Sequence, residues 1–146
     1  MAFYSGGNNC HVNNILVIQK KAVRIISNSH RLAHCRPLFI SLKIMTVINL
    51  YIYTVLVYVK NNISNLQLRQ DVHTYNTRIN KNINIPYQRL SKSINSYETL
   101  GLKLYNKLPA TLTNEHMDRF KSKLCNWLVT TPFYSLQEFF DCTIEV

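Results

Sequence analysis

A mainly α-helical chain, built as a small helical bundle with one long polar loop, is what this sequence predicts. Three observations lead there. Only three glycines and four prolines occur in 146 residues, too few turn formers for an all-β protein. The hydrophobic fraction of 47% is that of a globular chain and not of a disordered one. Apolar residues also recur at helical spacing in several stretches. The length suits one domain, 1–146, with three parts: a basic amphipathic helix and buried helices over 13–60, a polar basic loop over 61–95, and C-terminal helices over 96–146.

Asn13 or Asn14 can cap a helix starting at Ile15, with Ile15, Ile18, Ala22, Ile25 and Ile26 as its buried stripe. Lys20, Lys21 and Arg24 fall on its other faces, and it should end near 28–30. Pro37 restarts the chain, and Leu38, Phe39 and Leu42 can pack as a short helix. The most apolar run, 44–59, is too long for one strand and too short for a membrane span, and it contains Thr46, Asn49 and Thr54. A buried central helix fits it best. From 61 to 95 the composition turns to Asn, Ser, Arg and Gln, as in a long loop, with 82–85 and 89–93 as a candidate short hairpin. Pro86 limits the first of these to an edge strand. A helix over 97–107 should stop at Leu108-Pro109. Another should begin between Asn114 and Asp118, carry Phe120, Leu124, Trp127 and Leu128 on one face, and end at Pro132. Ser135 with Glu138 three residues later forms a capping box for a last short helix.

Charge is distributed unevenly. The first 69 residues contain eight Lys or Arg and no Asp or Glu; 71–114 carries a net +4, and 115–146 a net −2. An acid-free basic half favours an anionic partner, with phosphate backbone first and a membrane surface second. The competing account is drift toward AT-rich codons, which enriches Asn, Ile, Lys and Tyr but does not by itself remove every acid. The candidate contacts are Lys20, Lys21, Arg24, Arg31 and Arg36 on and after the first helix, and Arg78, Lys81, Arg89 and Lys92 in the loop. There they stand among Tyr75 and Tyr87. Bases interleaved with aromatics suit single-stranded RNA or DNA, where rings stack on bases; the bland alternative is a solvated face.

Catalytic chemistry is not legible. Two-metal catalysis needs clustered carboxylates, and outside the tail only Asp71 and Glu98 occur. Glu115 and Asp118 suit a helix start, and Glu138 and Asp141 read as solvated. His30, His34 and Cys35 form one loose group where structural zinc wants two ligand pairs. Cys10, Cys35, Cys125 and Cys142 are scattered, so free thiols are expected. Gly6, Gly7 and Gly101 do not make a phosphate loop. We therefore expect no catalytic residue, no metal and no cofactor. With no recognisable signal peptide, an intracellular address, nuclear or cytoplasmic, is the default expectation.

Several of these stretches also carry a resemblance. Ile18 to Ile26 reads IQKKAVRII and resembles the "LQKKAIRII" helix that follows the polymerase in jockey-like non-LTR retrotransposon reverse transcriptases. Arg36-Pro37-Leu38-Phe39 with Leu42 is similar to that family's "PLF..L" element, and Leu50-Tyr51-Ile52-Tyr53 with Tyr58-Val59-Lys60-Asn61 to its next helix. His73-Thr74-Tyr75-Asn76-Thr77-Arg78 resembles the "H-x-Y-N-T-R" signature. Gly101-Leu102-Lys103-Leu104-Tyr105-Asn106-Lys107-Leu108-Pro109 resembles "G-x-K-L-[WF]-N-x-L-P", and Phe120-Lys121-Ser122-Lys123-Leu124 with Trp127-Leu128 the closing "F-K-x-K-L…W-L". The resemblance implies a piece of an RNA-directed DNA polymerase from a transposable element, without its catalytic aspartates. Such a piece would help hold RNA or single-stranded DNA, or would simply pack on the upstream polymerase domain. No membrane partner is expected, and the oligomeric state is left open.

Overall fold

The computed structural model describes residues 11–72, 82–90 and 96–144. Among them the chain is helical, with one isolated antiparallel bridge. The order is α1 (Val12–Ile26), α2 (Cys35–Ser41), α3 (Val47–Asn61), a 3-10 turn (Ile63–Asn65), α4 (Arg69–Val72), α5 (Tyr97–Lys107), α6 (Ala110–Thr113), α7 (Met117–Thr130) and α8 (Leu136–Asp141).

The apolar run expected to be a buried central helix is α3. It packs against α1, α5 and α7. Its start is fixed by Thr46, whose Oγ1 accepts from the Asn49 N–H at 3.1 Å, an ordinary N-cap bond. Ile52, Val55 and Leu56 meet Leu104 of α5, Phe120, Leu124 and Leu128 of α7, and Phe139 of α8 in the main core. Each fully buried side chain of this size contributes about 1.5–3 kcal/mol. Val23, Cys35 and Phe39 make a second, smaller cluster beneath α1 and α2. No helix among the described residues is long and apolar enough to cross a membrane.

Among the described residues three polar side chains are buried, Thr99 of α5 and two at the start of α3. Thr46 donates to the Phe133 carbonyl at 2.7 Å. Asn49, fully buried, donates to the carbonyls of Leu128 and Thr131 and accepts from the Phe133 N–H at 3.0 Å. These bonds supply partners for backbone groups freed where α7 ends before Pro132, and they lock the α7–α8 turn to the start of α3.

Expected and observed elements coincide closely in the C-terminal third. α5 spans the expected 97–107, with Ser96 as its N-cap, and α7 ends before Pro132 with Phe120, Leu124 and Leu128 buried. Ser135 caps α8 as expected. The other half of that box is shifted by one residue, since Glu138 accepts from the Tyr134 N–H at 3.1 Å.

The first helix is different. It starts at Val12, ahead of the expected Asn13 or Asn14 cap, and buries Val12, Leu16 and Val23. The stripe expected to be buried is instead exposed, Ile18 at 65% and Ile25 at 79%, with Ile15, Ala22 and Ile26 beside them. The two stripes adjoin on the helix surface, so α1 is apolar over an arc wider than its neighbours cover. The polar stretch 61–95 also holds more than a loop, namely the 3-10 turn and α4. Residue Ile83 pairs with Leu68, through Arg69 N–H to Asn82 O at 2.9 Å and Asn84 N–H to Gln67 O at 2.8 Å, and not within the expected hairpin. Of the expected second strand, Arg89 and Leu90 are not in strand, and 91–93 fall outside the described residues. Asn106 explains the choice: its carboxamide accepts from the Ile83 N–H and donates to the Ile83 O, both at 2.9 Å. That side chain occupies the edge a hairpin partner would need.

Tyr105 supplies a test of the core. Its ring packs near Phe120, but its buried hydroxyl has no hydrogen-bond partner among the described residues. Burial pushes its pKa up from 10.0 to about 12. An unsatisfied buried hydroxyl costs about 1–3 kcal/mol, so Tyr105→Phe should stabilise the fold by about 1–2 kcal/mol in urea unfolding at pH 7. Unfolded chains release this proton near 10.0 while the folded chain holds it to about 12, so stability falls as pH rises across that window. The Phe variant should lose that part of the alkaline decline. Destabilisation by the substitution would show that the hydroxyl is paired after all.

Candidate nucleic-acid interface

Lys21, Arg24 and Arg31 converge. With Ile25, Asn28 and Ser29 they line a single surface depression, with no acidic residue in its lining among the described residues. The geometry comes from how α1 ends. Asn28 takes a left-handed conformation (φ 49°), the Asn28 N–H bonds to Ile25 O at 3.1 Å, and the Ser29 N–H bonds to Arg24 O at 2.9 Å. This is a Schellman turn, for which Asn is one of the few tolerant residues besides Gly. It reverses the chain so that Arg31 comes back beside the last turn of α1. Arg24 is anchored by its Nε–H to Ala33 O at 3.0 Å, while Lys21 and Arg31 are exposed.

Lys20 and Arg36 are used differently. Both sit over the Tyr134 ring, Lys20 Nζ at 3.6 Å and Arg36 Cζ at 4.7 Å from its centroid. Arg36 also pairs with Glu138 at 2.9 Å. Glu138, expected to be solvated, therefore bridges α2 and the start of α8. Such exposed pairs are each worth about 1 kcal/mol or less, but together they engage these cations within the fold. Sequence reasoning gave Tyr134 no role, and its position two residues after Pro132 carries no local signal for one.

Arg89, the candidate loop cation among the described residues, does not join this cluster. Arg89 is exposed and follows Gln88, which accepts from Thr99 Oγ1 at 3.2 Å beside the C-terminal half of α3. Helix α1 instead holds the N-terminal end of α3, where Gln19 accepts from the Val47 N–H at 2.8 Å and donates to Met45 O at 3.2 Å. With about 1.5 Å per residue, α3 separates the two by roughly 20 Å. Arg78, Lys81 and Lys92 lie outside the described residues, as does the His73–Arg78 motif. The nine expected contacts thus resolve, where described, into one cluster of three, a pair over Tyr134, and Arg89 apart.

No group of three potential metal ligands occurs among the described residues. Cys35 is buried, with its thiol toward Lys20 O and Ala33 O at 3.7 Å, so it is engaged with backbone. The motif residues of α2, α5 and α7 serve packing: Phe39, Leu104, Phe120, Leu124 and Leu128 are fully buried, and Gly101 lies against Val55 and Val59.

The class this fold defines is a small all-helical domain. Compared with protein-family models, with curated proteins and with solved structures, the chain matches none.

Proposed function

We propose that this chain is a non-enzymatic module that contacts RNA or single-stranded DNA, and that it derives from the region following the polymerase in a jockey-like non-LTR reverse transcriptase. The observation that carries the binding reading is the convergence of Lys21, Arg24 and Arg31, with Asn28 and Ser29, in one depression whose described lining has no carboxylate. Cations of this kind hold phosphates, and the side-chain amide and hydroxyl add donors. The derivation rests on the resemblance of the motif series alone.

A second reading has its own observation. The exposed row Ile15, Ile18, Ala22, Ile25 and Ile26 is the kind of apolar face a neighbouring domain covers, and a preceding polymerase-type domain is the partner the resemblance implies. On this reading the chain is a structural piece without activity of its own.

One titration addresses both. Filter binding of a single-stranded oligonucleotide should weaken steeply with salt, with a log–log slope of about −2 for three phosphate contacts. Lys21→Glu with Arg31→Glu should lower affinity about tenfold or more and flatten that slope. These two are the apt positions because Lys20 and Arg24 have structural contacts. Absence of retention at low salt, with dye binding that Ile18→Glu and Ile25→Glu abolish, would overturn the first reading in favour of the second.

A further inference from the structure

A recess of about 540 Å³ lies between the C-terminal end of α3, the 3-10 turn, the 82–90 segment and the start of α5. Its lining is unlike the depression by α1. Among the described residues its lining holds no Lys, Arg or His and a single carboxylate, Glu98, but it is rich in carboxamides, among them Asn65, Gln67, Asn84 and Gln88. The Tyr58 ring forms one wall and meets the Tyr97 ring edge-on at 6.0 Å. Gln88 is oriented by Thr99 Oγ1, which leaves its amide nitrogen as a donor. The side chains of Asn65, Gln67 and Asn84 make no hydrogen bond among the described residues, though Asn84 is only half exposed.

What such a recess can hold follows from its chemistry. Among the described lining residues a phosphate would meet one carboxylate and no cation, so these residues disfavour an anion. A purely apolar ligand would leave several carboxamides without partners. A flat heterocycle with adjacent donors and acceptors satisfies both constraints, since the ring can stack on Tyr58 and its edge can pair with carboxamides. A carboxamide makes two hydrogen bonds with any base edge that sets a donor beside an acceptor, the amino group and ring nitrogen of adenine among them, and a purine offers a larger stacking face than a pyrimidine. The size is also appropriate, within the range of small-ligand sites of about 300–1,000 Å³.

We propose that this recess is a nucleobase site that prefers a purine such as adenine to a pyrimidine. It is separate from the cluster at Lys21, Arg24 and Arg31, and an uncharged nucleoside tests it without that reading. The full chain is titrated with adenosine, uridine and AMP by calorimetry. Adenosine should bind saturably, uridine at least tenfold more weakly, and AMP no more tightly than adenosine. Asn84→Ala, and separately the exposed Asn65→Ala, should each weaken adenosine about fivefold while the thermal melt is unchanged. No saturable adenosine binding up to millimolar concentration would overturn the proposal. So would equal affinity for uridine, or an AMP affinity well above that of adenosine. An oligo(A) that binds more tightly than an oligo(U) of equal length would place the base in a nucleic-acid strand, and equal binding of the two beside good adenosine binding would make a free nucleoside the ligand. Persistence of adenosine binding in the Lys21→Glu, Arg31→Glu variant, with oligonucleotide binding lost, would separate this site from the basic one.

Discussion

Asn49→Leu should destabilise the fold by about 3–5 kcal/mol, enough to remove a large part of the 5–15 kcal/mol typical of a domain. The side chain is fully buried in α3 and satisfies two carbonyls, Leu128 and Thr131, and the Phe133 N–H. Leucine keeps nearly the same volume, so the cavity effect is small. What changes is that one donor and two acceptors stay buried without partners, at about 1–3 kcal/mol each, partly relieved if the turn opens to water. A urea titration followed by circular dichroism measures this, and Trp127 fluorescence reports the same region, since its ring packs at 5.7 Å from that of Phe133. A loss below about 1 kcal/mol would mean that the α7–α8 turn is held by packing alone. Thr46→Val, which removes the bond to Phe133 O, should cost less because it breaks fewer buried bonds.

Gly101→Leu should cost about 2–3 kcal/mol, and for the opposite reason: excess volume. A Cβ at this position would stand 2.8 Å from Val55 Cγ1 and 3.0 Å from Val59 Cγ2, so α5 can approach α3 this closely only without a side chain. Overpacking of this kind costs about 1–3 kcal/mol, occasionally more. The gain from replacing a helical glycine offsets up to about 1 kcal/mol of it. Valine side chains in helices have one favoured rotamer and cannot swing away. Combining Gly101→Leu with Val55→Ala should recover at least about 1 kcal/mol of the loss, a coupling a double-mutant cycle reads directly. Strict additivity would show that the two helices do not meet at this point.

Several elements could be read straight from the residues. α5 and α8 are set by Ser caps, α5 and α7 are closed by prolines, and the apolar face of α7 repeats at i, i+4 and i+8. Each signal is local, so no distant residue can alter its meaning. α3 was legible as well, because a run apolar all round has no wrong face to bury. α1 was not. Its apolar arc offers two adjacent stripes, and only docking on α2 and α3 decides that Val12, Leu16 and Val23 go inside. The pairing of Ile83 with Leu68 depends on Asn106, 23 residues away, which no local pattern announces.

The candidate site divides the same way. That the first 69 residues carry only positive charge was evident from composition, and so was the interest of Lys21, Arg24 and Arg31. That Lys20 and Arg36 face Tyr134, and that Glu138 answers Arg36 across 102 positions, was not. The carboxamide-lined recess was equally hidden, since its residues come from four separate segments and none is unusual alone.

By itself, then, the order of amino acids determined helix content, most helix ends and the sign of the field, because these arise from spacings within a turn or two and from charge. Only tertiary packing decided which apolar stripe is covered, which cations remain available and where polar side chains gather. Those outcomes depend on competition between surfaces far apart in the chain, where the better-matched pair of faces excludes the other from the core.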